Sequence, residues 1–160
     1  PLDDIIRKSC DEPSHRAIFN NAAQHYNHCF FWKNLTPWGA NMPNDLKDAF
    51  DKEWDSVENF QAQFKAAGMA HFGSGWIWLV YNHQAGKLEI RAYANADTPL
   101  TDPSLAPLMT MDVWEHSWYA DYENEKAKYV ENFFGCIDWH WVERHWKRAT
   151  GQKYIPMDWM

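Results

Sequence analysis

Six consecutive apolar residues, Trp76-Ile77-Trp78-Leu79-Val80-Tyr81, constrain this chain more than any other feature. The run has the length of a strand and is bounded by Gly73-Ser74-Gly75 and by Asn82-His83-Gln84-Ala85-Gly86. A strand that is apolar on both faces needs a covering layer on each side. The second boundary leads into 87–94, where Leu88, Ile90, Ala92 and Ala94 alternate with Lys87, Glu89 and Arg91. Together the two segments predict a hairpin. Residues 108–113 predict a third strand, after a loop punctuated by Pro99, Pro103 and Pro107.

The covering layers come from segments with helical spacing. Residues 17–35 place Ile18, Ala22, Tyr26, Phe30 and Leu35 at helix-compatible positions, and Pro37 and Gly39 end the pattern. Asn44 caps a second predicted helix carrying Leu46, Ala49, Phe50 and Trp54 on one face. Asp55 with Glu58 resembles a capping box and opens a third, with Val57, Phe60, Phe64, Ala67 and Gly68. A further helical pattern runs over 124–148. The fold class is α+β: an N-terminal helical region packed on a C-terminal three-stranded antiparallel sheet with surrounding helices. Residues 1–72 read as a helical region, an incomplete helical hairpin domain. Residues 73–160 read as an α/β metal-binding domain with a C-terminal tail. Eleven Trp, nine Phe and seven Tyr supply the large rings such layers bury.

A formal charge of −7 disfavours general affinity for nucleic acid, which needs a basic surface, although a local basic patch would suffice inside an assembly. No apolar run approaches the roughly 20 residues of a membrane-spanning helix, and the opening PLDDIIRKSCDEP has no apolar core of a signal peptide. Three widely spaced cysteines, Cys10, Cys29 and Cys136, suggest a reducing compartment without a disulfide framework.

Chemistry concentrates in Asp112-Val113-Trp114-Glu115-His116, where a strand gives way to helical sequence. A carboxylate delivered by the strand exit and an imidazole delivered by the next turn can reach one point. A hard oxygen beside a neutral imidazole suits iron or manganese. The plainer alternative is a surface Asp and a hydrogen-bonded core His. Two features weigh against it. Val113, Trp114 and Trp118 make the surroundings dry, and a buried carboxylate needs a partner. Gln24 and His28 form an i,i+4 pair on the first long helix, so His28 can add a ligand and Gln24 a hydrogen bond behind it. For His25, ordinary helix-surface polarity is preferred.

The segments FNNAAQHYNH at 19–28, FFW at 30–32, HFGSGWIWLV at 71–80, NADTPLT at 95–101 and DVWEHSWYADYENEKAKYVENF at 112–133 resemble the iron/manganese superoxide dismutases in order and spacing. The resemblance runs from about residue 3 to about residue 148. It implies metal ligands at His28, Asp112 and His116. Gln24 falls on the active-site glutamine of iron-type members, and Ala96 stands where manganese-type members carry theirs. Iron is thus the implied cofactor, with manganese the alternative, or no metal in a purely structural protein. Trp76, Trp78 and Trp114 match aromatics around the metal. Glu115 matches a residue reaching across a dimer to the partner's ligand histidine, and Tyr119 one lining the dimer seam. The implied activity converts superoxide to oxygen and hydrogen peroxide in a homodimer or with a related subunit.

The sequence departs from the family pattern in places. The family's first histidine ligand lies on a helix upstream of where this sequence starts, and His15, after Pro13, is a poor substitute. Phe31, Ser117-Trp118 and Phe134 stand where other residues are usual. Trp118, Trp141, Trp146 and Trp159 are rings beyond those the metal shell needs, and the 150–160 tail suits docking onto another surface or packing on its own chain. These departures leave open a structural subunit of a large protein or ribonucleoprotein assembly such as a mitochondrial ribosome, and a three-ligand site of different chemistry. That alternative favours the mitochondrial matrix as the compartment, with cytoplasm or plastid as the others.

Overall fold

A computed structural model describes residues 1–153. The apolar run becomes β1 (Gly75–Asn82), the central strand of an antiparallel sheet ordered β2 (Lys87–Ala94), β1, β3 (Leu105–Asp112). Gly75 to Val80 are all buried, so both faces of β1 are covered, as the unbroken run predicts. In the β1–β2 hairpin Gly75 pairs with Ala94 and Asn82 with Lys87. The connecting turn is built by Asn82, whose Oδ1 accepts the amides of Gln84 and Ala85 at 3.0 Å, and by Gly86 at φ +65°. Of the face expected to point inward on β2, Leu88 is buried and Ile90 half-buried, whereas Ala92 and Ala94 are exposed. β2 is an edge strand, and its far end runs out from under the covering layer.

β3 starts earlier than its apolar run suggests and takes in Pro107. Proline has no amide to give a ladder, and β3 tolerates it because it is the other edge. The β1–β3 register shifts between Leu79 and Val80, and Val80 is the residue paired with Pro107.

Four helices precede the sheet: α1 (Leu2–Ser9), α2 (Arg16–Lys33), α3 (Asn44–Trp54) and α4 (Val57–Ala70). The sequence reading placed nothing at α1. Its Ile6 is fully buried in a small second core with Phe19, Ala23, Ala96 and Leu100. The cap of α4 is Ser56, which accepts the Asn59 amide at 3.0 Å, rather than Asp55; Asp55 ends α3 in the left-handed region at φ +66°. The single helix expected over 124–148 is divided into α6 (Lys126–Asn132), a 3-10 turn (Phe133–Cys136) and α7 (Trp139–Ala149), preceded by the short α5 (Tyr119–Tyr122). Asp138 opens α7 by accepting the amides of His140 and Trp141, and Gly135 lies in the interruption. The interruption turns Phe133 and Phe134 onto Phe64, at ring separations of 6.2 and 5.7 Å.

α2 and α7 pack on β3, and α4 on β1 and β2. One buried residue, Asn34, joins three of these elements. Its Oδ1 accepts the Thr110 amide of β3 at 2.6 Å, and its Nδ2 donates to the Phe31 carbonyl of α2 at 2.7 Å. Its own carbonyl accepts the Asp138 amide at the start of α7 at 2.9 Å. Among the described residues no helix is long and apolar enough to cross a membrane. Of the predicted tail, residues 154–160 lie outside the described residues.

Candidate metal centre

α2 delivers the first donor. His28 Nδ1 lies 2.7 Å from the Gln24 carbonyl one turn back. A carbonyl only accepts, so Nδ1 carries the proton and Nε2 presents its lone pair. The Gln24 side chain is oriented in turn by Trp76 of β1, whose indole N–H donates to Gln24 Oε1 at 3.1 Å. An indole nitrogen only donates, so the amide oxygen must face Trp76, which leaves the NH2 group free to donate elsewhere. Trp76 is fully buried and meets the His28 ring edge-on at 4.9 Å.

β3 delivers the second donor at its last residue. Asp112 is 1% exposed. Its Oδ1 accepts the Trp114 amide at 2.9 Å, and its Oδ2 lies 2.9 Å from His116 Nε2 and 3.6 Å from His28 Nε2. The Tyr129 hydroxyl donates to the Asp112 carbonyl at 2.8 Å, and the Ser117 hydroxyl is shared between that carbonyl at 3.0 Å and the Trp114 carbonyl at 2.7 Å. The turn Glu115–Ser117 then brings His116 round, with Trp114 stacked on its ring at 5.8 Å.

The two Nε2 atoms are 3.3 Å apart, and one donor atom from each of His28, Asp112 and His116 lies within 4.8 Å of the others. Burial pushes the Asp112 carboxyl up from its ordinary value, against the Trp114 amide and the two imidazoles, which pull it down. A desolvated carboxylate facing two imidazole nitrogens is the environment a small divalent or trivalent cation relieves. The donor set, one hard oxygen and two imidazoles, fits iron or manganese.

The other predicted residues lie at varied distances from this cluster. Glu115 and Tyr119 are exposed, and Tyr119 meets Trp118 at a ring separation of 6.0 Å. Trp78, one repeat along β1 from Trp76, stacks on Tyr26 instead. Ala96 is buried in the second core, where Asn27 donates to its carbonyl at 3.3 Å. His25 is exposed and pairs with Cys29 at 3.7 Å, and His15 sits exposed in a 3-10 turn. Sequence reasoning missed Tyr129, whose ring looks like any core aromatic on a helix. It registered Ser117 only as a departure, although that hydroxyl bonds the turn that follows β3.

The family described as "Iron/manganese superoxide dismutases, C-terminal domain" matches residues 42–145. Among curated proteins, "Superoxide dismutase [Fe]" of Coxiella burnetii is 46% identical over 148 residues, 92% of this chain and 73% of that protein. The protein of that name from Helicobacter pylori is 41% identical over 152 residues, covering 94% and 68%. That from Escherichia coli is 42% identical over 145 residues, covering 90% and 72%. The family match spans the three strands with Asp112 and His116, and the relatives cover nine-tenths of the chain at more than 40% identity, so the chain belongs to the iron/manganese superoxide dismutases.

Proposed function

We propose that this protein is an iron-type superoxide dismutase, converting superoxide to oxygen and hydrogen peroxide at His28, Asp112 and His116. The observation that carries the reading is the convergence of two imidazole nitrogens and a desolvated carboxylate within 4.8 Å. Iron, when bound there, supplies a one-electron couple of intermediate potential. The chain's residues do the rest. The Gln24 carbonyl fixes the tautomer of the neutral His28 ring, in which Nε2 is the lone-pair donor. Asp112 sets one negative charge against the cation, and its carbonyl anchors keep it at the strand end. Gln24, with its oxygen held by Trp76, keeps an NH2 group to donate to an oxygen ligand in the site. Gln24 together with Ala96 favours iron over manganese.

A fourth protein donor, the upstream histidine implied by the resemblance, is not among the 160 residues; the proposal takes it from further sequence or from a second chain. The Coxiella protein is matched over 73% of its length, which leaves length there for such a donor. The proposal includes a dimer with a second copy or a related subunit. Exposed Glu115 and Tyr119 beside the site support it, as groups acting across a seam must be exposed in one copy. Residues 1–72 and 73–160 are proposed as its helical and sheet-bearing parts. The relatives named above are bacterial, which favours the cytoplasm over a mitochondrial matrix. They are enzymes by name, which favours catalysis over a structural subunit. Metal analysis and a superoxide-decay assay on the purified protein test the reading. About one iron per chain with dismutation is expected; no dismutation after loading with ferrous iron refutes it.

A further inference from the structure

Trp141, Arg144, His145 and Arg148 are spaced i, i+3, i+4 and i+7 and share one face of α7. Across from them α2 presents Tyr26, Phe30 and Lys33. Tyr26 and Phe30 stand about 200° round α2 from His28, so this face turns away from the donor cluster. Two clefts, of about 660 and 680 Å³, share Trp141, His145 and Arg148 as a common wall. The wall is aromatic: Phe30 meets Trp141 at a ring separation of 5.8 Å and His145 at 5.5 Å, and Trp141 meets His145 at 4.1 Å.

The charge at this junction is one-sided for a chain of net charge −7. Among the described residues no aspartate or glutamate lines either cleft. Lys33 and Arg148 are exposed and form no ion pair among the described residues. Arg144 rests over the Trp141 ring at 5.4 Å. His83 of the β1–β2 turn lines the far rim, and Asp3 of α1, whose charge reaches Tyr26, is paired with Arg7 at 3.9 Å. Burial, with Arg144, Arg148 and Lys33 nearby, holds the His145 imidazole below its ordinary value, against the pull of the Trp141 carbonyl. The Trp141 indole N–H is buried without an acceptor. Cations from two helices and an unpaired indole donor thus stand beside a wall of rings.

We propose that the junction of these clefts binds a planar aromatic carboxylate, with Lys33 and Arg148 drawing the acid group and the rings of Phe30, Trp141 and His145 taking the flat body. Clefts of roughly 300–1,000 Å³ suit small organic molecules. A small inorganic anion would leave the rings uncovered, and a neutral aromatic would leave the two cations unanswered. A flat ligand with one negative charge meets both demands. The site goes beyond the dismutase reading and needs no metal.

2-Naphthoate titrated into the metal-free full chain at low salt, followed by two-dimensional NMR, tests the proposal. The Trp141 indole and His145 ring resonances should shift to saturation with a Kd of about 1 mM or tighter, while the His28 ring stays in place. The bound anion should also raise the His145 pKa. Lys33→Gln and Arg148→Gln should each weaken binding about threefold, as loss of an exposed ion pair does, and Arg148→Lys should keep most of it. 2-Naphthalenemethanol, with the same rings and no charge, should bind at least about threefold more weakly, and inorganic phosphate should leave the Trp141 indole in place. The absence of a saturable shift at about ten times that Kd, as when another part of the protein already fills the junction, overturns the inference. So does equal affinity for the neutral alcohol, or unchanged binding in both glutamine variants. A shift of His28 alone would put the anion at the donor cluster, and equal shifts from phosphate would mark a site for inorganic anions; either result overturns it as well.

Discussion

Asp112→Asn separates the two tasks of the candidate centre, because it keeps the shape of the side chain and removes its charge. In the metal-free protein the change should cost little. The buried carboxyl loses its desolvation burden, an amide oxygen can still accept the Trp114 amide, and its NH2 can donate to His116 Nε2. Neutral replacement of a buried charge with its hydrogen bonds preserved is neutral to stabilising. With metal the order reverses. Ferrous iron at a hundredfold excess over its Kd stabilises the parent by about 2.7 kcal/mol. At roughly 2–4 °C per kcal/mol for a chain of this size, its Tm should rise by about 5–11 °C. Losing even an outer partner of a metal ligand weakens binding by about 10- to 100-fold, and losing the negative charge of the proposed ligand Asp112 should do at least as much. At the same iron concentration the variant then sits near its own Kd, where the gain is about 0.4 kcal/mol, or roughly 1–2 °C. Differential scanning calorimetry with and without ferrous iron reads both numbers. A variant that keeps the parent's iron-dependent rise would show that Asp112 is not a ligand. A variant that is several degrees less stable without metal would show that the carboxylate is structural.

Gln24→Leu should cost about 1–3 kcal/mol in urea unfolding, because it strands the Trp76 indole N–H in a fully buried position; unchanged stability would show that this bond contributes nothing. Tyr129→Phe and Ser117→Ala should each cost about 1 kcal/mol, and a double-mutant cycle should find them coupled because both hydroxyls lie within hydrogen-bond distance of the Asp112 carbonyl. Gly75→Ala should lose at least about 1–3 kcal/mol, since a Cβ there would drive into the His71 ring and the Tyr93 carbonyl. His145 tests pH dependence: burial, with Arg144, Arg148 and Lys33 nearby, holds its imidazole below the ordinary value, although the Trp141 carbonyl pulls the other way. The unfolded chain takes up this proton first, so stability from this group is present above about pH 6.5 and lost as pH falls through the folded value. His145→Gln should flatten the stability profile over that window in calorimetry; an unchanged slope would mean that His145 does not titrate differently on folding.

The sheet and the nearness of Asp112 to His116 were legible because their signals are local, whereas His28, on a separate helix, was joined to them by the resemblance. The unbroken run 76–81 announces a doubly covered strand, and the Asp112–His116 spacing stays within one strand exit. Pro107 hid the start of β3, because a proline reads as loop unless the strand is known to be an edge. The apolar pattern over 124–148 continues through the break at 133–138, which is set by the Asp138 cap and the packing of Phe133 and Phe134. The Trp76–Gln24 bond joins residues 52 positions apart, and nothing in either segment announces the other.

Asn34 sets a rule for which insertions this chain could tolerate. It ties the end of α2 to β3 two residues before Asp112, and it caps α2 six positions after His28. Two of the three donors are thus indexed to one amide side chain by short, rigid spans. A one-residue slip in either span moves a donor by about 1.5 Å along the helix or about 3.3 Å along the strand. Metal–ligand distances tolerate roughly 0.2 Å. The 75 residues between Asn34 and Thr110 carry no such requirement as a length. Extra residues in the loops there leave both short spans intact, whereas one residue added between 28 and 34, or between 110 and 112, would break the centre while leaving most of the core packed.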